Sequence, residues 1–196
     1  MVLLFDSLCA LALLFSAILS WWMTADSRAN TRINLRFAAT MLAVFSAART
    51  LPSPALAFDA ALLTPSLATA AAVLAVSVPR RASVWLSCLI LIAALLAGLL
   101  AALRAMPVLA LGYQAGAAMA LFVWALTRSG ESPHSAMLAS LGAASLLFGV
   151  MAVMNGSLSA AMLFFAAFLL LLTRASQAAI ADNRVRGSLL ISGERA

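Results

Sequence analysis

The chain has no lysine and only one histidine, and these scarcities remove several kinds of membrane chemistry. A retinal protein needs a lysine for its Schiff base, and a bis-histidine haem needs two histidines, whereas His134 stands alone. The sequence contains no HExxH, Cys/His cluster, GxSxG or Walker A motif. We therefore expect no cofactor and no metal. The protein is predicted not to be an enzyme, with an unrecognised intramembrane active site left as an alternative.

Charged residues are also scarce, and this scarcity indicates a membrane protein. They make up 9% of the chain and hydrophobic residues 65%, against about 25% and about 45–50% in an ordinary soluble domain. No soluble fold of 196 residues buries so much apolar surface, so the surplus is predicted to face the lipid bilayer. The chain then divides into a transmembrane helical domain, 1–175, and a cytoplasmic tail, 176–196.

The longest apolar run lies at the centre of the chain. Ala82–Leu103 contains 22 residues without a charge, which matches the roughly 20 residues that a helix needs to cross a bilayer. Six similar segments accompany it, so the fold class is all-α, a bundle of about seven transmembrane helices. The second and third spans are the least regular, and the alternatives there are that they are re-entrant or merged. The predicted spans are Val2–Met23, Phe37–Leu51, Ala60–Val78, Ala82–Leu103, Pro107–Thr127, Ala136–Met154 and Leu158–Thr173.

The tail after the last span is polar. It is predicted to continue as helix to about Arg186, where Gly187 would stop it.

All twelve basic residues are arginines, spread between the apolar segments. This spacing is typical of topology signals and does not indicate a nucleic-acid partner. Seven crossings place the termini on opposite sides, and the positive-inside rule then predicts the N-terminus outside and the C-terminus in the cytoplasm. Only Arg49 and Arg104 are then predicted on the outer side of the membrane. Ten arginines fall inside: Arg28, Arg32, Arg36, Arg80, Arg81, Arg128, Arg174, Arg184, Arg186 and Arg195.

Several polar residues fall on the predicted outer side of the bundle. Ionisable groups at membrane depth are functional candidates by default, so a ring of them is predicted to bind a small polar or anionic ligand, with Arg49 as the charge clamp. The alternative is that Arg49 and Arg104 reach the lipid headgroups and pair with Asp59 or Asp6. The candidate ring consists of Arg49, Asp59, Arg104, Tyr113, Gln114 and Asn155.

Small residues recur at four-residue spacing in two of the spans. Gly112 and Gly116 form a GxxxG motif, and Ala94, Gly98 and Ala102 repeat the same spacing. Small residues let helix backbones approach closely, so these stripes predict packing within the bundle or, as the alternative, a homodimer interface.

The stretch WWMTADSRANTRINLRFAATMLAVFSAARTLP, Trp21–Pro52, combines three features. Tryptophans close a span, Arg28, Arg32 and Arg36 recur along one face of a helix entering the next span, and that span ends in Arg49 before a proline. In this it resembles the seven-transmembrane input regions that precede diguanylate cyclase (GGDEF) and histidine kinase domains in bacteria. The resemblance implies the bacterial inner membrane and an N-outside, C-inside layout.

The resemblance favours a sensory or regulatory signal-input module without its own catalytic domain, which would signal through a separate partner. No functional residue can be carried over, because these input regions share no catalytic set. A non-catalytic accessory subunit of a larger membrane complex is the alternative. A small transporter component is a further one, although the middles of the predicted spans lack the charges that transporters often carry.

Overall fold

The structure is a computed structural model that describes residues 2–25, 27–50, 53–77, 84–104 and 106–193. This part of the chain is all-α and contains no strand. Its seven helices are, in chain order, α1 (Val2–Met23), α2 (Ala29–Arg49), α3 (Pro54–Ser77), α4 (Val84–Arg104), α5 (Pro107–Arg128), α6 (Pro133–Met154) and α7 (Leu158–Gly193).

Local sequence signals explain where several helices begin. α3, α5 and α6 each start at a proline, a residue that suits the first turn because the N–H it lacks would have no helical partner there. Gly156 has a φ of +73° in the turn between α6 and α7, a left-handed conformation that glycine adopts without a steric penalty. The last two helices are therefore joined by a short hairpin.

α2 begins earlier than the apolar segment that predicted it. Arg28 immediately precedes its first turn, and Arg32 and Arg36 lie within the helix, one turn apart. The four-residue spacing of these arginines is therefore carried by one helix, as the sequence predicts.

Within the described part of the chain, five helices are long and apolar enough to cross a membrane, namely α1, α3, α5, α6 and α7. In α4 the apolar stretch within the described residues is Ser87–Leu103. α2 is more polar, since three arginines lie within its bounds. The chain is thus an all-α, multi-pass membrane protein, as the composition predicts.

α3 and α7 occupy the middle of the bundle. α7 packs against α1, α2, α3 and α6, and α3 also packs against α2, α4 and α5. Asp6 on α1 contacts Arg49 at the end of α2 and Ser159 at the start of α7, and Thr31 at the start of α2 donates to the carbonyl of Ala75 near the end of α3. α1, α3 and α7 therefore begin at the same end of the bundle. We call this the Asp6 end, after a residue in the first turns of α1. The opposite end, where α1 finishes, is the Trp21 end.

The interior of the bundle is filled mainly by alanine and leucine, with a few phenylalanines. The rings of Phe45 and Phe165 are fully buried and meet edge to face, with centroids 6.1 Å apart. Outward-facing side chains are equally apolar, and Trp22, Leu103 and Val108 are 74%, 74% and 76% exposed. A surface of this kind suits contact with lipid, because soluble proteins rarely expose large continuous apolar patches.

The prediction that Gly187 stops the last helix is wrong. α7 continues through Gly187 to Gly193 and contains 36 residues. Glycine inside a helix costs only about 1 kcal/mol relative to alanine, so it ends a helix only where the backbone turns left-handed. At about 1.5 Å per residue, α7 is about 54 Å long and exceeds the roughly 30 Å hydrocarbon layer.

Candidate functional site

An ion pair ties three helices together at the Asp6 end. Arg49, in the last turn of α2, donates from Nη2 to Asp6 Oδ2 on α1 over 2.6 Å, and Ser159 on α7 donates to the other carboxylate oxygen. The side chains of Arg49 and Asp6 are only 27% and 17% exposed. The Asp6 cluster, formed by these three residues, therefore joins the start of the chain to its last helix.

The Asp6 cluster bears on the role predicted for Arg49. Its charge is directed at Asp6, which is the pairing that the sequence gave as the alternative to a ligand clamp. Arg49 Nε is buried and has no hydrogen-bond partner in the structure. The Nε–H group is thus a donor that the ion pair does not use.

The other members of the candidate ring lie in different surroundings. Asp59 and Asn155 are exposed, on the second turn of α3 and just after α6. Tyr113 is half-buried and donates from its hydroxyl to the carbonyl of Ile90 on α4 over 3.3 Å. Arg104 ends α4, and its side chain lies outside the described part of the structure.

Gln114 is fully buried between helices. Its Nε2 donates to Ser66 Oγ on α3 over 3.0 Å and weakly to the carbonyl of Leu62 over 3.5 Å. Gln114 Oε1 is buried without a hydrogen-bond partner in the structure. Among the described side chains, no hydrogen bond or ion pair joins two members of the ring. A single ligand site built from all six stays a prediction.

The Gln114 cluster, made of Gln114, Ser66 and the Leu62 carbonyl, lies beside a proline inside α3. Pro65 has no N–H, so the carbonyl of Ala61 receives no helical hydrogen bond from it. The hydroxyl of Ser66 donates to the Leu62 carbonyl over 2.7 Å, and Thr64 and Thr69 bond in the same way to carbonyls one turn earlier. α3 therefore concentrates polar groups within an apolar span.

Sequence reasoning missed Ser66 as the partner of Gln114. The available signal was the string TPSLAT, which places three hydroxyls and a proline inside a predicted membrane span. Membrane helices commonly hydrogen-bond to each other through such side chains.

Gln114→Ala and Ser66→Ala are expected to be non-additive. A hydrogen bond between membrane helices contributes about 0.6 kcal/mol on average. The loss of unfolding free energy in the double variant should therefore be smaller, by about that amount, than the sum of the losses in the two single variants. The measurement is reversible unfolding by sodium dodecyl sulfate in mixed micelles. Tyr113→Phe paired with Ser66→Ala is the control, because Tyr113 bonds to α4. If the coupling free energy is the same in the Gln114/Ser66 and Tyr113/Ser66 double-mutant cycles, the Gln114–Ser66 bond is contradicted.

The Trp21 end contains a second set of links between α1 and α7. The hydroxyls of Ser20 and Thr173 lie 2.6 Å apart, and both are fully buried. Gln177 Nε2 donates to the carbonyl of Met23 over 2.5 Å. α1 and α7 are therefore held by polar contacts at both ends of the bundle.

An apolar groove also opens at the Trp21 end, between α1 and α2. It has a volume of about 250 Å³ and is referred to below as the Trp21 groove. The guanidinium of Arg36 lies over the ring of Trp21, 4.7 Å from the ring centroid, in a cation–π contact. The groove is lined by Leu14, Ala17, Ile18, Trp21, Trp22, Ala39, Thr40 and Ala43.

The two small-residue stripes have different surroundings. A Cβ added at Gly98 would lie 2.9 Å from Leu63 Cα, so α4 uses this glycine to approach α3 closely. A Cβ added at Gly112 or Gly116 would meet no atom within 4 Å. The stripe on α4 therefore packs within the bundle, whereas the GxxxG motif of α5 faces outward.

Within the described ranges, no group of three or more His, Cys, Asp or Glu side chains could hold a metal ion.

Comparison of the chain with protein-family models, with curated proteins and with solved structures finds no match. The likeness to the input regions of cyclases and kinases therefore stays a prediction.

Proposed function

We propose that the protein is a sensory or regulatory signal-input module of a bacterial inner membrane. In this proposal all seven helices cross the bilayer, with the N-terminus outside and the end of α7 in the cytoplasm. The observation that carries the proposal is the continuity of α7 from the Asp6 cluster, through the Ser20–Thr173 contact, to Gly193. A change at one membrane surface thus has an unbroken helix along which it can reach the other.

The Asp6 cluster is suited to be the receiving end. Its ion pair is partly exposed, so a small ion or lipid headgroup can compete for Asp6 or Arg49. Loss of the pair would remove the link to α2 and leave Ser159 as the partner of Asp6 in the cluster, so the start of α7 could shift together with α1 relative to α2. Helix displacements of about 1–2 Å are a common means of passing a signal through packed helices.

Arg49→Ala is expected to speed amide hydrogen exchange in residues 178–193, measured by mass spectrometry on protein in lipid nanodiscs. Ala178 lies about 29 Å along α7 from Ser159 at about 1.5 Å per residue, so a purely local effect would not reach it. We expect an increase of about fivefold, which corresponds to about 1 kcal/mol of local opening free energy.

Asn155→Ala is the matched control, because Asn155 is an exposed residue at the same end of the bundle. It should leave exchange in residues 178–193 unchanged. Changes in Arg49→Ala that stay confined to α1, α2 and the first turns of α7 would count against transmission along this helix.

A second candidate function is favoured by the outward-facing GxxxG motif. Gly112 and Gly116 are exposed, and a Cβ added at either would meet no described atom within 4 Å, so α5 offers a surface for close approach by a helix of another chain. An accessory subunit of a larger membrane complex would use such a surface.

Purification from native membranes in a mild detergent separates the two candidates. A co-purifying diguanylate cyclase or histidine kinase that is lost when residues 178–193 are deleted would support the signal-input module. A set of partners that is lost in Gly116→Ile but retained in the deletion would support the accessory subunit.

A further inference from the structure

The Trp21 groove is apolar along its whole length. Its one hydroxyl, that of Thr40, already donates to the carbonyl of Arg36 over 2.9 Å. The volume of the groove, about 250 Å³, is smaller than that of typical small-molecule pockets, which is about 300–1,000 Å³. Its dimensions and chemistry suit one hydrocarbon chain lying along α1 and α2.

Positive charge lies beside one end of the groove. The guanidinium of Arg36 stacks on Trp21, a wall of the groove, and Arg36 Nε is buried without a hydrogen-bond partner in the structure. Arg32, one turn earlier on α2, donates from Nη1 to the carbonyl of Ala25 over 3.2 Å. Stacking on an aromatic ring fixes the plane of a guanidinium and leaves its donors directed at an anion.

The described residues supply no carboxylate to these two arginines. The ion pairs in this part of the chain join Arg49 to Asp6 and Arg128 to Glu131. An anion placed between Arg32 and Arg36 would therefore meet arginine charge that no carboxylate of the described residues neutralises. Charge-assisted hydrogen bonds from arginine to phosphate are among the stronger polar contacts in proteins.

We propose that the Trp21 groove is a binding site for an anionic phospholipid. One acyl chain occupies the groove, and the phosphate binds to Arg36 and Arg32. Two independent observations support it: the groove is lined almost entirely by apolar side chains, and the arginines beside its end have no carboxylate partner among the described residues. This site goes beyond the signal-input function and does not depend on it, because the lipid would bind equally to an accessory subunit.

The first test is thermal unfolding in dodecyl maltoside during titration with dioleoyl phosphatidylglycerol or with dioleoyl phosphatidylcholine. The anionic lipid should raise the unfolding midpoint at concentrations where the zwitterionic lipid has little effect. Arg36→Gln should weaken the apparent affinity about fivefold to tenfold, since one arginine near an anionic surface contributes about that factor. Arg128→Gln, which removes an exposed arginine elsewhere, should leave the affinity unchanged.

A second variant separates the acyl chain from the headgroup. Ala43→Leu fills the groove while both arginines stay in place, so it should abolish stabilisation by the phospholipid. Stabilisation that survives in Ala43→Leu would show that the groove binds no chain. Equal effects of the two lipids, or equal losses in Arg36→Gln and Arg128→Gln, would overturn the site.

One measurement requires no change in the site. In a Trp85→Phe/Trp124→Phe variant, the remaining tryptophans are Trp21 and Trp22, which both line the groove. Phosphatidylglycerol with brominated chains should quench their fluorescence at a lower mole fraction than brominated phosphatidylcholine. Identical quenching curves would contradict selective binding of an anionic lipid, whatever the fate of the arginine variants.

Discussion

Arg49→Ala is expected to destabilise the protein by about 2–3 kcal/mol, the largest effect of any single substitution proposed. Removing one member of a fully buried ion pair costs about 3–5 kcal/mol, and partial exposure of both side chains reduces that range. The variant leaves the Asp6 carboxylate with Ser159 as its remaining partner in the cluster. Reversible unfolding in mixed micelles of dodecyl maltoside and dodecyl sulfate measures the loss.

The chain contains its own control for this experiment. Arg128 and Glu131 also form an ion pair, but their side chains are 52% and 59% exposed. Arg128→Ala should therefore change stability by no more than about 0.5 kcal/mol. The double variant Asp6→Asn/Arg49→Ala should be less damaged than Arg49→Ala alone, because no carboxylate is left unpaired. Equal losses in Arg49→Ala and Arg128→Ala would show that the Asp6 cluster contributes nothing special.

Gly98→Ala is expected to destabilise the bundle by about 1–3 kcal/mol, the usual cost of forcing an extra group into a packed core. The new Cβ would lie 2.8 Å from Leu63 Cδ1 and 2.9 Å from Leu63 Cα. The Cδ1 methyl group of Leu63 can rotate away from the new Cβ, but Leu63 Cα can move away only if α3 and α4 separate. Alanine is the better helix former by about 1 kcal/mol, so the observed loss is net of that gain.

Gly112→Ala is the matched control for Gly98→Ala. It makes the same chemical change in a neighbouring helix, at a position where the added Cβ meets nothing. Its stability in mixed micelles should be unchanged or slightly increased. If the two variants unfold at the same detergent composition, α3 and α4 are not in close contact at Gly98.

The helices could be predicted from the sequence because the length of an apolar run is a local property. Ala82–Leu103 needs no knowledge of its neighbours to be recognised as helix, and α4 occupies Val84–Arg104. The end of α7 was mispredicted because Gly187 is compatible with both a helix interior and a helix end. What distinguishes the two is backbone conformation, which composition does not show.

The polar contacts were harder to predict than the spans. The sequence offered Asp6 and Asp59 as partners for Arg49, and only the packing of α1 against α2 selects Asp6. Gln114 was expected in a ligand-binding ring on the outer side of the bundle, whereas its side chain is buried against Ser66. Alanine-rich helices have similar faces all round, so the sequence alone does not show which side of α5 meets α3.

The Asp6 cluster has a consequence for the order in which the protein is assembled. Asp6 is made first, and its basic partner Arg49 follows with the next helix, so the carboxylate is neutralised early. Ser159 and Thr173, which bind Asp6 and Ser20, are made last. α1 must therefore wait in the membrane beside α2 until synthesis of the chain is nearly complete. A ribosome stalled before α7 would leave a six-helix intermediate whose first helix is held on one side only.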